Sequence, residues 1–139
     1  HESGMQCARK LLQAPEDRRP TAIFASNDEM AAGVLAVAHS LGLGVPEDLS
    51  VAGFDDMPLA SQVWPALSTI RQPISAMSSK AAELLFRQLR DEPDDPATHV
   101  IESTVTFRQS TAPAHNAKLQ RVRSARRARA AMSLAEDEK

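Results

Sequence analysis

The chain has 139 residues, of which 42% are hydrophobic and 24% charged, the proportions of one globular domain with a real core. No apolar run approaches the roughly 20 residues that cross a bilayer as a helix, and the single cysteine, Cys7, excludes an internal disulfide framework. The net charge of −2 is uneven. Residues 118–139 carry seven Lys/Arg against three Asp/Glu and residues 1–117 nine against fifteen, so the tail is basic and the acidic body is poorly suited to hold nucleic acid by itself.

The chain opens at His1, inside what reads as a helix over residues 3–13, with Met5, Ala8, Leu11 and Leu12 at helical spacing. No signal peptide precedes it, and the expectation is the back part of a longer protein. "APEDRRP" (14–20) reads as a loop. "TAIFA" (21–25) is a short apolar run after Pro20, a buried strand. Ser26-x-x-Glu29 has the capping-box pattern. Met30, Val34, Val37, Ala38 and Leu41 then mark one helical face up to the stop signals Gly42, Gly44 and Pro46. "LSVAGF" (49–54) is a second apolar strand. Strand–helix–strand predicts a right-handed crossover between parallel neighbours. "LSTIRQ" (67–72) reads as a third strand and residues 75–90 as an amphipathic helix with Met77, Ala81, Leu84, Leu85 and Leu89 on one side. "DEPDDPA" (91–97) is an acidic loop. "HVIESTVTFRQS" (99–110) alternates at Ile101, Ser103, Val105 and Phe107, as a half-exposed strand does. After Pro113 the pattern fades into a tail with no heptad repeat.

Two junctions raise the functional question. The first strand stops at Asn27-Asp28 and the second at Asp55-Asp56. In open parallel sheets, ligands bind outside the carboxyl ends of the strands. If the two strands are neighbours, Asn27 and Asp55 emerge roughly 5 Å apart, or about twice that with one strand between them, and Gln72 closes the third strand. Two amides and a carboxylate facing one cleft suit a ligand rich in hydroxyls, because a carboxylate accepts two hydroxyl hydrogens and an amide both donates and accepts. For either residue alone, a helix cap or turn start explains the residue type equally well; the paired placement favours a site. Asp28 and Asp56, one position further on, read as structural partners.

Other chemistry is hard to find. His1, His39, His99 and His115 show no ligand spacing, so no metal site is expected. No Ser/His/Asp arrangement or glycine-rich phosphate loop is readable, and no cofactor is implied. Asp55-Asp56 has the right chemistry for magnesium, but the Lys and hydroxyl pair of a phospho-receiver is missing at the later strand ends. Cys7 reads as a small helix side chain, and Met30 and Met77 as core.

"TAIFASNDEMAAGVL", "GLGVPEDLSVAGFDDMPLA", "PALSTIRQP", an "AAELL" helix and "VTFRQSTAP" together resemble, in order and spacing, the lactose-repressor/galactose-repressor (LacI/GalR) family over residues 2–113. The resemblance implies an α/β fold, a parallel-sheet βαβ sandwich like the type I periplasmic binding proteins, of which this chain carries the C-terminal part. Residues 1–73 would be the C-subdomain of the effector-binding core. Residues 74–98 would be a crossover helix and loop packed on an N-subdomain, 99–113 the returning strand, and 114–139 a flexible tail. The implied function is effector binding and dimerisation in a cytoplasmic transcriptional regulator. Its effector is expected to be a sugar or related polar metabolite, and its DNA contact to come only through a missing N-terminal domain. No membrane partner and no catalysis are implied. A transport sugar-binding protein of the same fold is the alternative; "FRQSTAP" favours the regulator. Asn27, Asp55 and Gln72 match the family's effector contacts, with Arg71 as hinge structure. The stretch holding Val63 and Trp64 matches the subunit contact of a homodimer, and the small residues of the following-strand helix, Ala32 among them, permit close approach there.

Overall fold

The computed structural model describes residues 2–15, 17–90 and 98–114. Three short apolar runs become strands β1 (Ala22–Phe24), β2 (Ser50–Asp55) and β3 (Ser68–Arg71), paired in parallel, and β4 (Thr104–Thr106) adds to β3 antiparallel, giving the order β1-β2-β3-β4. The expected parallel crossover is there: β1 and β2 are direct neighbours, joined through a helix.

Side chains alternate across the sheet, so Ile23, Val51, Gly53 and Thr69 share one face. Helices α1 (Glu2–Leu12) and α2 (Asp28–Ser40) cover it. The core there is built from Ala8 and Leu12, from Ala31, Val34, Leu35, Val37 and Ala38, and from Leu49, Val51 and Leu67. The two helices approach closely because α1 offers Gly4, where a side chain would collide with the Met30 backbone. Gly42, at φ 68, ends the α2 segment in the left-handed conformation that a glycine adopts freely.

The other face carries Phe24, Ala52, Phe54, Ile70 and Val105 and has no helix across it among the described residues. Phe24 is therefore 62% exposed and Val105 58%. The alternation expected over 99–110 is reduced to three residues of strand, and Phe107 is exposed. Helix α4 (Ile74–Leu89) forms as its periodicity predicts, yet none of its residues is buried. Met77, expected in the core, is 41% exposed, and Leu85, Phe86 and Leu89 are more so. The reason is physical: the apolar stripe meets only a shallow groove closed by His99 and Ile101. Leu11 and Leu41 also turn outward, each at the solvent edge of its helix. A short helix, α3 (Leu59–Gln62), has no clear signal in the sequence. The acidic loop 91–97 and the tail from 115 lie outside the described residues.

The lower edge of the sheet is tied by the segment after β4. Ser110, fully buried, accepts the Ser68 N–H at 2.8 Å and donates to the Val51 carbonyl at 2.6 Å, while its own carbonyl accepts the Val51 N–H at 2.8 Å. Ser68 Oγ accepts the Arg108 N–H at 2.9 Å and pairs with the Thr111 hydroxyl. Ser68, Ser110 and Thr111 are thus a hydroxyl seam between strands.

Candidate functional site

The polar junctions stand at the carboxyl end of the parallel strands. β1 and β2 are register partners up to Phe24 and Ala52; Asn27 follows three residues after the end of β1, as the cap of α2, and Asp55 is the last residue of β2. Asp55 is in turn the register partner of Arg71, with Gln72 next in the chain.

Each residue has a separate local task. Asn27, not Ser26, is the N-cap of α2: its Oδ1 accepts the Met30 N–H at 2.8 Å, and the expected Ser26/Glu29 box does not form because the helix begins one residue later. Its Nδ2 donors have no protein partner among the described residues. Asp55 and Asp56 both adopt positive φ, 107 and 56, the left-handed region that Asp tolerates better than most residues. This turn sends the two carboxylates to different partners. Asp55 Oδ1 accepts from Gln72 Nε2 at 2.6 Å. Asp56 divides its oxygens, Oδ2 accepting from Arg71 Nε at 2.5 Å and Oδ1 from Arg108 Nη2 at 2.6 Å. Burial pushes the Asp56 carboxyl up, but hydrogen bonds from Arg108 and Arg71 and their positive charges outweigh it and hold the group below its ordinary value.

Asp28 is a structural residue. It is fully buried, takes the Met57 N–H at 2.7 Å on one oxygen and the Thr69 hydroxyl at 2.5 Å on the other, and so joins α2, the loop after β2 and β3. Gly53 makes room for it, since a side chain there would strike the Asp28 carboxylate.

Of the site residues expected from sequence, Asp55 and Gln72 touch, and Asn27 caps the helix that follows the adjacent strand. The three remaining residues are Ala32 in α2 and Val63 and Trp64 directly after α3. Trp64 is 85% exposed, so it does not pack into its own chain. Val63 is half-buried against the core. Ala32 is only 7% exposed and has little surface left to offer. Sequence alone does not flag Arg108 or Thr69. Their signal is faint: a charge inside an otherwise apolar and hydroxyl-rich strand end, and a hydroxyl where the strand's inward face expects a hydrophobe. Among the described residues no group of His, Cys, Asp and Glu is placed to hold a metal, and Cys7 is an exposed free thiol.

Residues 1–111 match the periplasmic binding protein-like domain family. Catabolite control protein A of Priestia megaterium is 40% identical over 111 residues, 80% of this chain and 33% of the relative. Among solved structures, a LacI family transcriptional regulator from Bifidobacterium animalis subsp. lactis aligns with a TM-score of 0.76 at 32% identity, over 82% of this chain and 41% of the other. The transcriptional regulator CelR, in complex with cellobiose, aligns with a TM-score of 0.72 at 33% identity, over 78% and 33%. The chain spans about a third of the length of the curated relative it matches. The order of strands, the polar residues at their carboxyl ends and these likenesses agree: the chain belongs to the LacI/GalR family of transcriptional regulators and carries part of its periplasmic binding protein-like domain.

Proposed function

We propose that this chain is the effector-binding part of a cytoplasmic transcriptional regulator, and that its effector is a sugar or a similarly polar metabolite held at Asn27, Asp55 and Gln72. The observation that carries the reading is the Asp55–Gln72 pair at the carboxyl ends of β2 and β3, with Asn27 following β1. Asn27 keeps its Nδ2 donors, Asp55 its Oδ2 and Gln72 its Oε1 uncommitted among the described residues, which offers donors and acceptors together. Two consecutive residues at positive φ support it as well, because strained backbone gathers at binding sites. Cellobiose, bound by the relative CelR, is the kind of polyol this set of groups recognises.

No catalysis is assigned to the site. Binding would act by favouring one arrangement of the regulator over another, which requires different affinity in the two. DNA contact is assigned to a domain other than this one. The chain's role in assembly is self-association through Val63 and Trp64, with Ala32 adding little area.

The test is calorimetric titration of the regulator containing this chain with cellobiose, sucrose and D-glucose, beside Asn27→Ala and Asp55→Ala. Hydrogen bonds to a charged group contribute about 1.5–3 kcal/mol each, so Asp55→Ala is expected to weaken binding roughly 10–100-fold. Unchanged affinity in both variants would remove the site.

A further inference from the structure

The Asp55–Gln72 contact is made at the point where the chain leaves the sheet. Gln72 follows the last residue of β3, and Pro73 leads directly into α4. A residue at such an exit is held by the strand on one side only. Its neighbour Arg71 is the sheet's last paired position, on Asp55 on one side and Thr104 of the returning strand on the other. Asp56 grips this place from below. Its side chain is 4% exposed, and each carboxylate oxygen holds a different arginine, Arg71 at the exit and Arg108 on the return. Arg108 is anchored a second time, by Nη1 to the Leu67 carbonyl at 2.8 Å. The Asp56 N–H also faces the Thr69 hydroxyl, at 3.4 Å.

We propose that Asp56 is the positioning residue of this corner: by joining Arg71 to the anchored Arg108 it fixes the exit from β3 and thereby sets Gln72 against Asp55. A carboxylate with one partner would stabilise either the exit or the return. With two it transfers the rigidity of the seam at 108–111 to the residue that touches the ligand site. The Arg71 side chain is 61% exposed, so this arm by itself contributes little to stability; what it supplies is the register of the next residue. The consequence for ligand binding rests on the function proposed above, whereas the positioning itself is read without ligand.

The test uses the 139-residue chain and the exchange of the Gln72 side-chain amide hydrogens with water, followed by NMR in the wild type, Asp56→Asn and Arg71→Gln. A hydrogen-bonded carboxamide exchanges slowly. Both variants are expected to speed the Gln72 exchange roughly tenfold, the shift of about 1.4 kcal/mol in a local equilibrium, while the Val51 backbone amide keeps its protection. Unchanged Gln72 exchange in both variants overturns the proposal. So does parallel loss of protection at Gln72 and Val51 in both, or failure of both to fold, either of which would assign the network to global stability. Asp55→Ala, titrated with cellobiose in the regulator containing this chain, separates the two readings. If it binds as the wild type does, the ligand site is elsewhere, yet the exchange result still decides the role of Asp56.

Discussion

Asp28 and Thr69, 41 residues apart in sequence, meet in the core with the threonine hydroxyl donating to the carboxylate at 2.5 Å. Asp28 also accepts the Met57 N–H, so one buried carboxylate joins three segments. Replacing it with alanine strands the buried Thr69 hydroxyl and takes the acceptor from the part-buried Met57 N–H. We expect Asp28→Ala to lose about 3 kcal/mol of stability, measured by urea unfolding. Asp28→Asn, which keeps an acceptor, should lose less, and equal losses would mean that the shape rather than the hydrogen bonds matters.

The packing of α1 on α2 gives a second expectation. At Gly4 a methyl group would meet Met30 backbone, which has no rotamer to yield. Gly4→Ala should therefore destabilise by about 1–3 kcal/mol despite its better helix propensity. A gain in melting temperature would show that the helices can separate without cost.

Asp56 makes stability depend on pH in a defined sense. Its folded-state pKa lies below the ordinary 3.8, so the unfolded chain binds the proton more readily. The stabilisation is complete above that ordinary value and is lost as pH falls through the depressed one. The difference in melting temperature between wild type and Asp56→Asn should be flat near neutrality and shrink only in strong acid. A difference that already narrows between about pH 5 and 7 would assign the effect to another group.

Trp64 projects from its own chain, which removes intramolecular packing as its role. An exposed tryptophan beside half-buried Val63 suits a two-fold contact, and such anchors contribute about 2 kcal/mol or more. Trp64→Asp, which leaves Val63 and its packing on the core in place, should give a folded monomer by sedimentation and circular dichroism. An unchanged sedimentation coefficient, with association retained, would place the contact elsewhere.

Helix α4 carries Leu85 and Phe86 in the open, at 56% and 57% exposure. Leu85→Lys and Phe86→Lys should each change the stability of this chain by no more than about 0.5 kcal/mol while lowering its tendency to bind hydrophobic dyes. A large loss in urea unfolding would mean that the stripe is already covered.

Short-range features were readable because they are local. The three parallel strands follow from apolar runs at residues 21–25, 49–54 and 67–72, and the end of α2 from Gly42. That Asn27 and Asp55 follow adjacent parallel strands was legible in the same way. What the pattern does not contain is partnership at a distance. Asp55 and Asp56 are alike in sequence, and only the turn at positive φ gives one to Gln72 and the other to arginines 15 and 52 positions away. Burial was misjudged where periodicity had no covering element to meet, at Met77, Val105 and Phe107. A hydrophobic stripe states that a face suits an apolar neighbour, not that one is present.

The hydroxyl seam also sets an order of assembly. Ser110 reaches back 59 residues to the carbonyl of Val51 and 42 to the N–H of Ser68. At roughly 5–20 residues per second of synthesis, Val51 waits some 3–12 s for its partner. During that interval β2 and β3 present open backbone groups along their lower edge, and such unpaired strand ends favour pairing between chains. Ribosome-bound chains halted with residue 110 still inside the exit tunnel and with it fully outside should therefore differ sharply in protease resistance, with the completed seam acting as the latch that closes the nascent domain.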